Sequence, residues 1–246
     1  MNDDDHARTL IDEIGEYTLR VGREIGWFCE PLTAGRGREY LLQHTLRNRL
    51  LSAVLRPAWM SRCPDVEVVR KTIGQIRQEL VMDDQLGVGH TAILRQMGRN
   101  IGLTDAELDK AKPHPLVDAA FNIWENICRS RHWIAGWLTT SADEFILSTM
   151  PENNFRPEKW QQAFDLDEEK VFFFRYHLKA DQDHAGQSVW LPILRHVSNQ
   201  TDREEVFTGL ASALVGEKLF YQGICEAGDA WDARRGAKAS ATHDAR

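Results

Sequence analysis

With 246 residues, 42% of them hydrophobic and 27% charged, the chain has the composition of a globular protein that can bury a large core within one domain. Its net charge of −7 and pI near 5.7 argue against a phosphate backbone as partner, so no nucleic acid is expected, and no G-x-G-x-x-G or Gly-rich phosphate loop suggests a nucleotide cofactor. There is no run of eighteen apolar residues, and the start Met-Asn-Asp-Asp-Asp-His is unlike a secretory signal, so neither a membrane span nor export is expected and the location read from the sequence is cytoplasmic.

The periodicity is helical almost throughout, with no convincing alternating run of β-branched residues, which predicts an all-α protein. A first helix is expected from about Asp5 to Phe28, with Leu10, Ile11, Ile14, Tyr17, Val21 and Ile25 on its buried stripe. Pro31 and Gly35-Arg-Gly37 then read as a break. A second helix is expected from about Arg38 to Arg56, and a third begins near Asp65 after Cys63-Pro64 and carries on towards His90. Gly102 and Thr104-Asp-Ala-Glu107 read as the stop of one helix and the capping box of the next. Pro113 and Pro115 precede a long apolar segment, Leu116 to about Met150. After a loop at Pro151 to Pro157 come a short helix around Lys159 to Phe164 and a longer one from about Asp167 to Val197, kinked by Pro192. The last helix, Thr201 to about Ala227, opens on a second capping box, Thr-Asp-Arg-Glu204. The simplest architecture is a single-domain bundle of about seven helices over residues 1–234, with 235–246 as a disordered tail. Cys29, Cys63, Cys128 and Cys225 form no C-x-x-C pair and read as free core thiols.

The chemistry-bearing residues cluster in three places. His177, Asp181 and His184 have offsets of four and seven residues, which on a helix brings the three side chains within roughly 60° of one another while Asp183 points elsewhere. Two imidazoles and a carboxylate suit iron, manganese or zinc, and with open positions are associated with non-haem Fe(II) and O₂. On the third helix, Glu79, Asp83 and His90 are spaced so that offsets of seven and eleven residues return to one face, although Gly87 and Gly89 can alter the phase. Asp84 is the neighbouring acid expected at a salt-bridged surface. Glu144 lies in the apolar stretch Ile134 to Leu147, where a buried carboxylate needs a partner, and Asp143 competes with it for that role.

The order acid, His, Glu, then H-x-x-x-D-x-x-H over three helices resembles the haem-oxygenase-like non-haem diiron oxidases and oxygenases. The resemblance spans about Tyr40 to Glu226; its strongest element is His177-x3-Asp181-x2-His184, and Ala142-Asp-Glu144-Phe-Ile-Leu is similar to the family's glutamate segment. It implies a haem-oxygenase-like fold of seven helices, two Fe(II)/Fe(III) ions, and O₂ as co-substrate. It assigns His90, Glu144, His177, Asp181 and His184 to iron together with one acid on the His90 helix; Asp83 is the better match, and Glu79 is the fallback because members usually carry glutamate there. N-oxygenase members have a further glutamate on the preceding core helix, where this chain has His44, Arg47, Asn48 and Arg49. The resemblance therefore leans towards C–H or C–C bond cleavage, by desaturation, decarboxylation or fragmentation, of a small amino-acid-like or fatty-acid-like substrate. An electron donor and a homodimeric assembly are compatible with it.

Other classes stay open on the residues alone. The same fold hosts metal-free thiaminase-like enzymes with a cysteine nucleophile and cofactorless quinone-forming oxidases, and neither needs the H-x-x-x-D-x-x-H set. A haem enzyme would need an axial histidine on the first helix, where His6 is available. Tyr40, Trp137, Phe173, Tyr176 and Trp190 could line a pocket or simply pack the core.

Overall fold

The computed structural model describes residues 3–150, 153–177 and 187–243. Among these residues there is no strand, in agreement with the all-α expectation, and no helix is long and apolar enough to cross a membrane. Among the described residues thirteen α-helices can be bounded at both ends, rather than about seven, because several long periodic stretches are cut by single turns that apolar spacing does not register. The first stretch is one example. Helix α1 (Asp3–Gly22) buries Ala7, Leu10, Ile11, Ile14 and Val21 at helical spacing, the chain turns at Arg23 and Glu24, and α2 (Gly26–Cys29) carries Trp27 and Phe28 into the core.

Helix α3 (Ala34–Leu50) starts earlier than expected and takes in the Gly35-Arg-Gly37 segment that reads as a break. The reason is tertiary. Thr33 caps the helix by accepting from the Arg36 N–H, and a side chain at Gly35 would collide with the carbonyl of Gly228 on the last helix. These glycines let two backbones touch. A π-helical turn at Leu51–Leu55 follows, leading into α4 (Arg56–Met60).

Helix α5 (Val66–Leu80) is capped by Asp65, whose carboxylate accepts from the Glu67 and Val68 N–H groups. It ends ten residues before α6 (His90–Asn100), so Glu79, Asp83 and His90 do not share one helix. The expected capping box at Thr104 and Glu107 is present and opens α7 (Asp105–Asp109). The segment after Pro113 forms three helices, α8 (Pro115–Ser130), α9 (Trp133–Thr139) and α10 (Ala142–Thr149), and α11 (Pro157–Phe164) follows. Residues 172–177 are helical, and α12 (Gln187–Leu194) contains Pro192.

The last helix, α13 (Gln200–His243), begins before the Thr201 box and runs past the expected end near Ala227. Asn199 caps it by accepting from the Asp202 N–H at 2.9 Å. This helix is the spine of the fold, packing along α8, α3 and α9.

At the centre of that packing lies a buried charge cluster. Arg47 on α3 donates to Asp143 Oδ2 at 2.6 Å and to Glu217 Oε1 at 2.8 Å, while the Tyr221 hydroxyl donates to Asp143 Oδ1 at 2.7 Å. The guanidinium also lies 4.9 Å from the ring centres of Trp124 and Phe220. Burial pushes the Glu217 carboxyl above its ordinary range against the opposing pull of Arg47. The folded state therefore holds a proton on Glu217 that the unfolded chain has lost, and stability falls as pH rises above the ordinary glutamate value. Glu217→Gln is expected to flatten the stability profile between roughly pH 5 and 8, as read by urea unfolding at several pH values.

Candidate metal centre

Three pieces of chain meet where α3, α5 and α6 converge. The carboxylate of Glu79 sits in the last turn of α5, and its Oε2 accepts from Asn48 Nδ2 on α3 at 2.6 Å. Past Leu80 the chain turns back on itself. Asp83 O accepts from the Gly87 N–H at 2.8 Å, Asp83 Oδ1 accepts from the Gln85 N–H at 2.8 Å, and Gly87 takes a φ of 70° that favours glycine. Gly89 then passes so close to the end of α5 that a Cβ there would lie 3.0 Å from the Leu80 carbonyl carbon and 3.1 Å from the Glu79 oxygen. His90, at the start of α6, is thereby pressed against Glu79.

Both nitrogens of His90 face acids: Nδ1 lies 3.0 Å from Glu79 Oε1 and Nε2 lies 3.0 Å from Asp83 Oδ2. All three side chains are buried. The Tyr176 hydroxyl donates to Asp83 Oδ2 at 2.7 Å. At the next residue, His177 donates from Nδ1 to the Phe173 carbonyl at 2.9 Å, and its ring centre lies 4.8 Å from that of His90. Glu79, His90 and His177 offer ligand atoms that all lie within 4.8 Å of one another, the one such group of metal-ligand type among the described residues.

The electrostatics are those of a site built for positive charge. Burial alone would push the Glu79 carboxyl up, but the hydrogen bond and charge of His90, with Arg56 and His177, hold it well below the ordinary range. Asp83 is likewise lowered to about 2, burial being outweighed by Tyr176, His90 and the Gln85 N–H. His90 is raised in turn: burial works against its charge, and Glu79 and Asp83 prevail. Two buried carboxylates that both draw positive charge onto the imidazole between them make an environment that also favours a metal cation. The donor set, two imidazoles with a carboxylate, suits iron.

The other expected ligands divide into two groups. Glu144, on α10, accepts from Arg56 Nη2 and Gln75 Nε2, each at 3.1 Å, and stands outside the three-residue group. Arg56 connects the two regions, since its charge also acts on Glu79. Asp143, the rival of Glu144, turns to Arg47 instead, and Asp84 is an exposed partner of Arg77. Asp181 and His184, with Asp183, lie outside the described residues. Glu144 lines a cavity of about 380 Å³ whose apolar wall includes Val68, Trp137, Val189 and Ile193 and whose polar wall includes Lys71 and Gln75. Of the five aromatic residues singled out in the sequence, Trp137 lines this cavity, Tyr176 touches Asp83, and Tyr40, Phe173 and Trp190 are buried.

Sequence reasoning passed over the residues that hold these acids. Asn48 reads as a place where a glutamate is missing; here it anchors Glu79, and its Oδ1 lies 2.8 Å from the Thr91 hydroxyl. Arg56 and Gln75 carry no signal beyond being polar residues on otherwise packed helices.

A family model described as "Iron-containing redox enzyme" matches residues 38–216. No curated protein matches the chain. Among solved structures, the chain is similar to a domain of unknown function with a heme oxygenase-like fold from Shewanella denitrificans, with a TM-score of 0.59 and 14% identity over 93% of this chain and 92% of that one. At that identity the likeness establishes the fold.

Proposed function

Since the chain belongs to the family of iron-containing redox enzymes, we propose that it is a non-haem diiron oxidase or oxygenase that uses O₂ to cleave C–H or C–C bonds of a small amino-acid-like or fatty-acid-like molecule. The observation that carries this reading is the buried group Glu79, His90 and His177, whose ligand atoms lie within 4.8 Å of one another. Glu144, Asp181 and His184 complete the proposed set around two irons. Two Fe(II) ions would supply the two electrons that reduce O₂ to the peroxide level.

The rest is the work of the chain. A metal-bound histidine faces the metal with one nitrogen and is oriented through the other by a carboxylate or carbonyl. For His177 the orienting group is the Phe173 carbonyl. For His90 one of two acids must take that role. Spacing to His90 favours Asp83 as the ligand, whereas the compact group contains Glu79; we assign Glu79 to the metal and Asp83, steadied by Tyr176, to the orientation of His90. Glu79→Ala is then expected to weaken iron binding more than Asp83→Ala does, the latter by about ten- to a hundredfold. Competition with a calibrated chelator reads both, and the reverse order would make Asp83 the ligand.

The cavity beside Glu144 supports a small-molecule substrate, with apolar walls that would pack against it and polar groups on α5 that would orient it. What α3 offers supports the proposed bond class. Arg47 is committed to Asp143 and Glu217, and Asn48 to Glu79, so the stretch where N-oxygenases carry an added glutamate supplies no carboxylate. The cysteine-nucleophile alternative finds no support in Cys63, Cys128 or Cys225. Such a nucleophile needs a lowered pKa, yet burial pushes Cys128 up to about 12 and Cys225 up to about 11, and raises Cys63.

The test is iron analysis after anaerobic loading with Fe(II), followed by O₂ uptake in the presence of candidate amino and fatty acids. About two irons per chain and substrate-stimulated O₂ uptake are expected. Turnover by rigorously metal-free protein would overturn the reading.

A further inference from the structure

We propose that Trp27 and Tyr40 form an electron-delivery path from a surface pocket to the metal centre, with His44 as the proton partner of Tyr40. The proposal rests on the iron reading above and adds where electrons reach the site. Its basis is an unbroken series of ring contacts. His177 lies 4.2 Å from Phe173 between ring centres, Phe173 lies 6.2 Å from His44, and His44 is stacked on Tyr40 at 5.0 Å. Tyr40 is stacked on Trp27 at 4.8 Å with the planes only 11° apart. Trp27 in turn lines a pocket of about 270 Å³, together with Glu24, Gly26, Lys218, Gln222 and Cys225.

Core packing alone does not call for this chemistry. Tyr40 is fully buried among Phe155, Trp160 and Phe174, and aromatic pairs in a core favour tilted or edge contacts as readily as stacks. What distinguishes it is the hydroxyl, 3.3 Å from His44 Nδ1. A phenol that loses an electron becomes strongly acidic, and in an apolar cage it can be oxidised only if a base stands beside it. Tyr40 has that base, on the side facing the metal centre, and an oxidisable indole on the other side.

The balance closes. Tyr40 gives one electron towards His177 and the oxidised iron, and its phenolic proton to His44 Nδ1. The neutral phenoxyl then takes one electron from Trp27 and the proton back from His44. The indole cation is reduced by one electron from a small one-electron donor in the pocket. Each cycle moves one electron from that donor to iron oxidised by O₂, and no atom is transferred.

The test uses the iron-loaded full chain mixed with O₂-saturated buffer without organic substrate, freeze-quenched over a time series and read by electron paramagnetic resonance. Iron content and O₂ consumption are measured on every sample. A phenoxyl signal is expected in the native chain and lost in Tyr40→Phe, which keeps the stacked ring. Trp27→Phe should prolong the signal, and ascorbate should shorten its lifetime in the native chain but not in Trp27→Phe. Tyr221→Phe, which removes the hydroxyl of the other ring stacked on Trp27, should leave it unchanged. A signal that survives Tyr40→Phe, or none in a sample that holds iron and has consumed O₂, overturns the path alone. A chain that takes up no iron overturns the metal reading and the path with it.

Discussion

Alanine at position 90 is expected to strip the centre of iron. His90 is the residue on which the site converges, with a carboxylate at 3.0 Å from each of its nitrogens and His177 beside its ring. Removing it takes away a ligand and at the same time leaves Glu79 and Asp83 facing each other without a positive charge between them. Changes to groups that merely orient a ligand cost about ten- to a hundredfold in metal affinity, so loss of this one should exceed that range. The metal-free variant should also be less stable than metal-free native protein, because two buried carboxylates lose their shared counter-charge. Iron content by elemental analysis and the urea midpoint of the apo forms give the two readouts. Near-native iron in the variant would remove α6 from the site.

The second large effect is structural. Arg47→Met keeps about the same side-chain volume but leaves the Asp143 carboxylate buried in the core without its cation and Glu217 without its hydrogen-bond donor, and removing one partner of a buried ion pair costs about 3–5 kcal/mol. That is a large part of the 5–15 kcal/mol typical of a folded domain. The loss should be recovered in the triple variant that also carries Asp143→Leu and Glu217→Leu, since replacing a whole buried ionic cluster by apolar groups is often neutral or stabilising. Equilibrium urea unfolding of the two variants distinguishes a charge effect from a packing effect: a triple variant as unstable as Arg47→Met would mean that shape, not charge, holds this part of the core.

Local signals in the sequence survived well, and long-range ones did not. The apolar stripe of α1 and the Thr104 to Glu107 box rest on interactions within a few residues, and the box appears as read while the stripe does so at Leu10, Ile11, Ile14 and Val21, with Tyr17 half-buried and Ile25 past the end of the helix. Glu79, Asp83 and His90 do come together, but for a different reason from the one their spacing suggests. No continuous helix aligns them; α5 stops at Leu80, and Gly87 and Gly89 fold the chain back so that His90 meets both acids. The glycines that weaken the helical argument are the ones that build the site. Glu144 and Asp143 show the limit of periodicity, since both sit in an apolar helix and only the partners decide their direction. Those partners are far away in sequence: Asp143 is 96 residues from Arg47, and Glu144 is 88 residues from Arg56. The break expected at Gly35 and Gly37 failed similarly, because a glycine placed for a helix crossing has the same local signature as one placed for a turn.

The π-helical turn at Leu51–Leu55 acts as a gear between two parts of the molecule. In an uninterrupted α-helix, Asn48 and Arg56, eight positions apart, would point about 80° away from each other. The wider turn absorbs one extra residue and brings them back to within about 20°. One rod can then hold Glu79 through Asn48 and Glu144 through Arg56. Excising a single residue from Leu51–Leu55 should convert it to an ordinary α-turn in which the two side chains, then seven positions apart, keep that shared direction; only a chain that held all eight steps in α geometry would swing Arg56 off Glu144.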